Sequence, residues 1–263
     1  MKRFISLFAF SVFLMTTVIG QTLPYLKDPT FKPGEILKYK LRYGFISAAT
    51  GTLSVQESKY SFGVNDAIHL SAFGQTSGAF SKFYTVKNQY DSYIDQSNFL
   101  PILYTENIRE NNYRRVEYAT FDHKIKQVKG KKGTFKSPTA QTFDLVSAYY
   151  FSRNLDFSGL KSGDKFKITY FLNDEVAQLG VEYIGVEKVK SVLGELECIK
   201  LSPEISPGRI FKKNSRLYLW VTNDGNRIPV KAQVDILIGS VTMDLVSADG
   251  LKYPLGKRVS YSK

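Results

Sequence analysis

Two carboxylates stand two residues apart, the spacing at which a strand presents both on one face. Glu195 and Glu197 flank Leu196 in an otherwise apolar stretch, and successive side chains of a strand point to opposite sides. Two carboxylates on one face can serve glycoside hydrolysis. Their alternation with Leu196 and Cys198 also fits a solvated strand face, and we prefer this interpretation. A glycan or ester hydrolase is therefore the least favoured of the three functions that we consider.

Other residue types that carry chemistry are sparse. The chain has one cysteine, Cys198, and two histidines, His69 and His123. No ligand-spaced or activating partner stands near any of them in sequence, and no nucleophile elbow, phosphate loop or dinucleotide turn occurs. We therefore predict that the protein is not an enzyme and has no catalytic residue, metal site or cofactor. Cys198 is predicted to be a buried, unreactive thiol.

The charge balance is basic, with a formal net charge of +12 that falls to +10 without Lys2 and Arg3. One interpretation is attraction to anionic partners such as lipid headgroups, lipopolysaccharide or acidic glycans. The preferred one is a solvated hairpin whose lysines discourage edge pairing. A nucleic-acid partner is not predicted, because no binding motif occurs. Part of the excess lies in one segment, at Lys124, Lys126, Lys129, Lys131, Lys132 and Lys136.

The first twenty residues have the pattern of a secretory signal. Lys2 and Arg3 precede an apolar run over residues 4–19, and small residues precede a cleavage point before Gln21. This run is shorter than the roughly 20 residues that a membrane-spanning helix needs. We predict a signal peptide over residues 1–20, a location in the periplasm or cell envelope, and a mature chain without a transmembrane span.

Alternation of apolar and polar residues dominates the remaining chain. Runs over residues 37–45, 165–170 and 228–238 place apolar side chains on one strand face and polar ones on the other. Asp224-Gly225 separates two such runs and indicates a hairpin. We predict a mainly β fold, either a single curved antiparallel sheet or an open or half β-barrel. Residues 21–32 are predicted to be an irregular N-terminal segment, and residues 33–263 a single β-rich domain.

One segment, near residues 143–154, breaks this period and predicts a short helix. Leu145, Ala148, Tyr149 and Ser152 fall at the spacing of one helical face. Thr142 is the predicted N-cap. The helix is expected to cover an end or a face of the sheet.

Aromatic residues supply the candidate ligand site. Both faces of the run over residues 217–221 are largely apolar. Such a strand is either a central strand covered by another layer or part of a concave sheet that holds an apolar ligand, and the sequence leaves both open. On the second interpretation the ligand-binding residues are Tyr39, Tyr43, Phe45, Tyr218 and Trp220.

The chain resembles the bacterial domain of unknown function 3108 family over nearly all of its mature length. The ordered motifs are FKPGE at 31–35, YGFISAATG at 43–51, DLVSAYY at 144–150 followed by Arg153, GELECIKLSP at 194–203, WVTNDGNRIPV at 220–230 and IGSV at 238–241. The resemblance implies an exported envelope protein with a curved antiparallel sheet, similar in architecture to the open-barrel lipid carriers of the periplasm. It implies no reaction. The motif residues for which we expect structural roles are Asp144, Tyr149, Arg153, Trp220, Asp224, Arg227 and Pro229.

These observations favour a non-enzymatic binding or carrier protein for an apolar or amphipathic envelope molecule such as a lipid. The alternative is an interaction or assembly module that binds an envelope protein through strand edges and the lysine-rich segment. A sizeable apolar cavity open to solvent would favour the carrier, and a filled interior would favour the assembly module.

Overall fold

The computed structural model describes residues 23–63, 67–205, 215–236 and 239–259. The predicted signal peptide and its cleavage point lie outside these residues, as does Ile238. In the part of the chain that is described, no helix is both long and apolar enough to cross a membrane. The elements are β1 (Ile36–Tyr43), β2 (Ile46–Glu57), β3 (Ala67–Thr76), a 3-10 helix (Gly78–Lys82), β4 (Lys87–Asp95), β5 (Pro101–Glu110), β6 (Tyr113–Asp122), β7 (Gln127–Gly130), β8 (Gly133–Lys136), β9 (Thr142–Phe143), α1 (Leu145–Arg153), β10 (Lys165–Leu172), β11 (Glu175–Ser191), β12 (Gly194–Pro203), β13 (Leu217–Thr222), β14 (Pro229–Asp235) and β15 (Ser240–Asp249).

All these strands form one sheet in the order β8-β7-β6-β5-β4-β3-β2-β1-β15-β14-β13-β12-β11-β10-β9. Neighbours are antiparallel except for the short β9, which pairs with β10 in parallel. Pairing of β1 with β15 joins the first strand to the last one in the middle of the sheet. The predicted mainly β fold with one curved sheet and one short helix is confirmed.

The sheet curls until its two ends approach each other. The ring of Phe135 on β8 lies 5.4 Å from that of Phe171 on β10. Gly130 on β7 is so close to this ring that a Cβ there would meet it at 2.8 Å. No strand pairing joins β8 to β10 in the described sheet, and only side chains bridge the gap between them. The sheet is therefore an open barrel.

Helix α1 begins later than the sequence predicts. Asp144, not Thr142, is the N-cap, and its carboxylate accepts hydrogen bonds from the backbone N–H groups of Val146 and Ser147. Thr142 is held in extended conformation because it pairs with Thr169 on β10. The predicted cap is therefore wrong, since pairing with β10 fixes the backbone of Thr142 in a strand.

The predicted helix face is also wrong. Leu145 is 48 % exposed, whereas the buried residues of α1 include Val146, Ser147 and Tyr150. The ring of Phe31, from the N-terminal segment, packs edge-on against Tyr150 at 5.0 Å. The helix is thus covered by this segment as well as by the sheet, and a contact so distant in sequence leaves no local pattern.

We call the side of the sheet that packs on α1 the inner face. Ser92 on β4 donates a hydrogen bond to Asp144 at 2.6 Å, so it belongs to this face together with its cross-strand partner Leu70. The main hydrophobic cluster fills the inner side at the end of the barrel where α1 and residues 23–31 lie. We call this the closed end.

The opposite end, where the turns at residues 44–45, 111–112 and 173–174 join successive antiparallel strands, is the open end.

Candidate functional site

Two adjacent rows of apolar side chains cross the inner face near the open end. Residues directly opposite each other in antiparallel strands share a face, and pairing continues from β2 through β1, β15 and β14 to β13. All ten side chains remain at least partly exposed. We call them the apolar rows: Ala49, Leu41, Met243, Ala232 and Leu219 in the first, and Ile46, Tyr43, Val241, Val234 and Leu217 in the second.

The same strands are polar on their outer face. Lys40 lies opposite Asp244, and Gln233 lies opposite both Tyr218 and Thr242. The period of two therefore separates an apolar inner side from a polar outer side. Near the closed end the inner side is buried under α1, whereas the apolar rows at the open end are incompletely covered.

Two glycines lie beside the apolar rows on the inner face. Gly51 on β2 and Gly74 on β3 lie opposite each other, and Gly51 also pairs with Tyr39. A Cβ added at Gly74 would meet no atom within 4 Å. The inner face therefore lacks side-chain volume between the apolar rows and the filled core.

A buried ion pair between Glu35 and Arg153 lies near Tyr39. Arg153 of α1 donates to both carboxylate oxygens of Glu35, at 2.5 and 2.8 Å, and the two side chains are 1 % and 0 % exposed. Burial has the largest effect and lowers the pKa of Arg153, but the Glu35 carboxylate together with Tyr149 and Tyr150 outweighs it, so that the pKa is raised. Arg153 also donates to the carbonyl of Asn226 at 2.8 Å. The pair thus connects the start of β1, the helix and the β13–β14 loop.

Asp224 organises the β13–β14 loop. Its Oδ1 accepts from the backbone N–H groups of Asn226 and Arg227, each at 3.0 Å, and from the Thr222 hydroxyl at 2.6 Å. Its Oδ2 accepts from the N–H of Gly256 at 2.8 Å. A buried carboxylate with four donors is held as a structural group.

The other residues of this motif are also engaged. The guanidinium of Arg227 donates to the carbonyl of Leu155 and lies 5.2 Å from the Phe157 ring. The carbonyl of Pro229 accepts from the Tyr39 hydroxyl at 3.1 Å. Tyr149 is partly buried with its hydroxyl enclosed near Tyr39, and burial raises the pKa of that hydroxyl. The structure therefore brings the motif residues of α1 and the β13–β14 loop together around the closed end.

A concavity of about 660 Å³ opens at the closed end. Its walls combine aromatic and aliphatic side chains, among them Tyr25, Phe157 and Ile199, with the cations of Arg227 and Arg258. This volume lies within the range of roughly 300–1,000 Å³ that small-molecule sites occupy. Its mixed lining distinguishes it from the apolar rows.

The five aromatic residues proposed from the sequence do not form one group. Tyr39 is buried and Tyr43 is 37 % exposed, and both lie on the inner face of β1. Phe45, at the tip of the β1–β2 turn, is 92 % exposed. Tyr218 and Trp220 lie on the outer face of β13. A role of these residues in ligand binding stays a prediction.

Trp220 has its own polar surroundings on the outer face. The ammonium groups of Lys200 and Lys231 lie 5.0 and 5.1 Å from its ring, and its indole N–H donates to Glu187. The ring also belongs to a cluster of buried apolar residues that includes Leu196 and Cys198 of β12. This explains how both faces of β13 are apolar in sequence although only one faces the barrel interior.

The two glutamates considered for hydrolysis are engaged in surface ion pairs. Glu195 lies 3.0 Å from Lys188. Glu197 accepts from Asn223 at 2.6 Å and from Arg258, and these hydrogen bonds lower the pKa of its carboxyl. A general acid requires a raised pKa, so Glu197 has the opposite tendency.

The histidines also have structural partners. His69 contacts Asp91 at 2.8 Å and stacks on Tyr93 at 4.6 Å between ring centroids. His123 lies between the carbonyls of Ala140 and Pro101, at 2.6 and 2.7 Å. Each ring thus bridges neighbouring segments of the fold.

Comparison with known proteins gives a family. The chain matches the model of the family described as Protein of unknown function (DUF3108) over residues 38–246. It belongs to the DUF3108 family. The resemblance found in the sequence is therefore confirmed, and the motifs at 43–51 and 220–230 of this DUF3108 chain become the β1–β2 hairpin and the β13–β14 loop.

A solved structure of another family shares the architecture of the DUF3108 chain. A β-barrel-like protein of the DUF1849 family from Brucella abortus is 13 % identical, with a TM-score of 0.50 over 84 % of this chain and 98 % of that one. A protein with a YmcC-like fold from Bacteroides fragilis is 12 % identical, with a TM-score of 0.39 over 86 % and 99 % of the two chains. The first likeness shows a shared fold and nothing about activity. No curated protein matches the chain.

Proposed function

We propose that this protein is a non-enzymatic binding or carrier protein for an amphipathic molecule of the cell envelope, and that it is exported to the periplasm. The observation that supports the proposal is the pair of apolar rows, which lie on the inner face at the open end and are incompletely buried. The apolar part of the ligand lies on these rows, and its polar part faces solvent at the open end.

The energy available from such a contact is adequate for reversible binding. Covering apolar surface contributes about 25 cal/mol per Å², so a chain that covers roughly 200 Å² gains about 5 kcal/mol before ordering costs. The missing side chain at Gly74 leaves open space for it. Aliphatic and aromatic residues dominate the rows, which favours an alkyl or acyl chain over a polar metabolite.

A matched pair of variants on β14 tests the proposal. Val234 lies in the second apolar row, and Gln233 lies beside it on the outer face. Both are partly exposed, so a carboxylate at either position is tolerated by the fold. The probe is the apolar dye N-phenyl-1-naphthylamine, whose fluorescence rises on binding, followed by displacement with a fatty acid.

We expect Val234→Asp to weaken dye binding about tenfold or more, since a charge in an apolar site is costly. Gln233→Asp should bind as the unmodified protein does. In addition, mass spectrometry of an extract of the natively purified protein should detect a bound amphipathic molecule. Absence of dye and fatty-acid binding by the unmodified protein, or equal binding by both variants, would contradict the proposal.

A further inference from the structure

Large apolar side chains project from three turns at the open end. Phe45 is 92 % exposed, Phe83 84 % and Tyr113 53 %. Single exposed apolar residues are common on soluble proteins, but clusters mark interaction surfaces. We call the group the aromatic rim; it consists of Phe45 in the β1–β2 turn, Phe80, Phe83 and Tyr84 between β3 and β4, and Tyr113 at the start of β6.

Hydrogen bonds join these three turns into one surface. The N–H of Ser77 donates to the carbonyl of Ala48 at 3.0 Å, which ties the β3–β4 connection to the β1–β2 hairpin. Thr85 and Asn111 exchange two hydrogen bonds of 2.8 Å, which tie the same connection to the β5–β6 turn. The aromatic rim is therefore a connected platform.

Cations near the aromatic rim have no ion-pair partner among the described residues. Arg109 and Arg114 lie directly opposite each other on β5 and β6, where like charges repel. Neither forms an ion pair with any residue in the described ranges, and the same holds for Lys82 and Lys87. All four side chains are exposed. Two guanidinium groups placed side by side suit an anionic partner.

An exposed apolar residue stands next to this arginine pair. Val116 is 65 % exposed and pairs with Asn107 on the same outer face as Arg109 and Arg114. Within the rim itself, Glu110 is engaged by the hydroxyl of Tyr84 at 3.2 Å and the amide of Asn88 at 2.8 Å. The exposed surface is thus both cationic and apolar.

We propose that the aromatic rim docks the open end onto the surface of an anionic lipid bilayer. Aromatic side chains prefer the headgroup region, and each nearby cation adds attraction to anionic lipid. The docked orientation directs the apolar rows toward the bilayer. Docking itself does not depend on the ligand proposed above.

Vesicle flotation tests the proposal. The full mature chain is mixed with vesicles of phosphatidylglycerol and phosphatidylethanolamine, or of phosphatidylcholine alone. We expect flotation with the anionic vesicles, little with the zwitterionic ones, and release by 0.5 M salt, which shortens the screening length.

Two rim variants and one control separate specific docking from general stickiness. Phe45→Ser with Phe83→Ser, and Arg109→Gln with Arg114→Gln, should each reduce partitioning about tenfold or more. The control is Val192→Ser, which removes an apolar residue that is 69 % exposed in the β11–β12 turn near the closed end. It should leave partitioning unchanged.

The proposal is overturned if the unmodified protein ignores lipid composition, or if the control loses as much as the rim variants. Crosslinking from the rim to one envelope protein, without flotation on any vesicle, would overturn it in favour of a protein partner. The outcome of the flotation test is separable from the outcome of the dye-binding test of the ligand site. Val234→Asp should still float, and the variant with Arg109→Gln and Arg114→Gln should still bind the dye.

Discussion

Arg153 and Glu35 form a fully buried ion pair that no local sequence pattern predicts. They are separated by 118 positions in the chain and are brought together because α1 packs between the sheet and the N-terminal segment. Isolated charges are rarely buried, whereas a bidentate pair with further hydrogen bonds is tolerated. The family resemblance implies a structural role for Arg153, but only the tertiary structure shows that this role is a buried ion pair with Glu35.

Breaking this pair should be costly. We expect Glu35→Gln to reduce the free energy of unfolding by about 3–5 kcal/mol, because it leaves a buried guanidinium without its counter-charge. Urea unfolding followed by circular dichroism measures the loss. The control is Arg42→Gln, which removes the exposed partner of Asp244 and should cost at most about 1 kcal/mol. Equal losses for the two variants would contradict this account.

Cys198 should be chemically inert in the folded protein. It is fully buried, and burial raises the pKa of its thiol to about 12, so the reactive thiolate is scarce at neutral pH. We expect alkylation by iodoacetamide at pH 8 only after denaturation. Rapid modification of the native protein, measured by mass spectrometry, would show that the thiol is accessible.

At the scale of elements, α1 shows how tertiary pairing sets a helix boundary. The apolar spacing correctly predicts a short helix near residues 143–154. The cap is displaced because β9 pairs with β10 and fixes Thr142 in extended conformation. Asp144 is the first residue after β9, and its carboxylate accepts hydrogen bonds from the backbone N–H groups of Val146 and Ser147 and from the Ser147 hydroxyl.

The buried cap should make stability depend on pH. Burial raises the pKa of Asp144, and hydrogen bonds from Ser92 and Ser147 oppose part of this rise. Because the folded pKa is raised, the stabilising contribution is complete below the unfolded value of about 3.9 and is lost as pH rises through the folded pKa.

Comparison with Asp144→Asn isolates this dependence. The free energy of unfolding of the unmodified protein, minus that of the variant, should fall as pH rises from about 4. Urea titrations at several pH values measure the difference. Asp122→Asn, which changes an exposed carboxylate, should show no such trend, and a difference independent of pH for Asp144→Asn would be evidence against a raised pKa.

The β13–β14 loop depends on Asp224 in a similar way. Asp224→Ala removes the acceptor of three backbone N–H groups and one hydroxyl. Buried donors without a partner cost about 1–3 kcal/mol each, so we expect a loss of about 3 kcal/mol or more. Asp235→Ala, at the exposed end of β14, should change the urea midpoint little. A small effect at Asp224 would mean that water replaces its hydrogen bonds.

At the scale of the whole molecule, the sheet is continuous from β8 to β9, and α1 fills one end of the curl. Pairing of β1 with β15 places the two halves of the chain side by side. This arrangement leaves the apolar rows and the aromatic rim together at the other end.

A single sheet of this kind should unfold as one unit, as the predicted single domain over residues 33–263 requires. Trp220 is the only tryptophan and reports on β13, whereas far-UV circular dichroism reports on all strands. We expect coincident urea transitions by the two signals. Separate midpoints would divide the chain into two domains.

The sequence by itself determined the period of two, the position of the helix, the turn at Asp224-Gly225 and the family. These follow from local sterics and from the alternation of side chains along a strand. It also placed Leu41 and Val234 on apolar strand faces.

Only the tertiary structure decided which strands are neighbours, and hence that these residues form rows while Tyr218 and Trp220 face outward. The pairing of β1 with β15 and the burial of Arg153 against Glu35 depend on contacts between residues far apart in the chain. Such contacts form when the chain closes long loops to bury its apolar surface, and this leaves no local signature in the residues that meet.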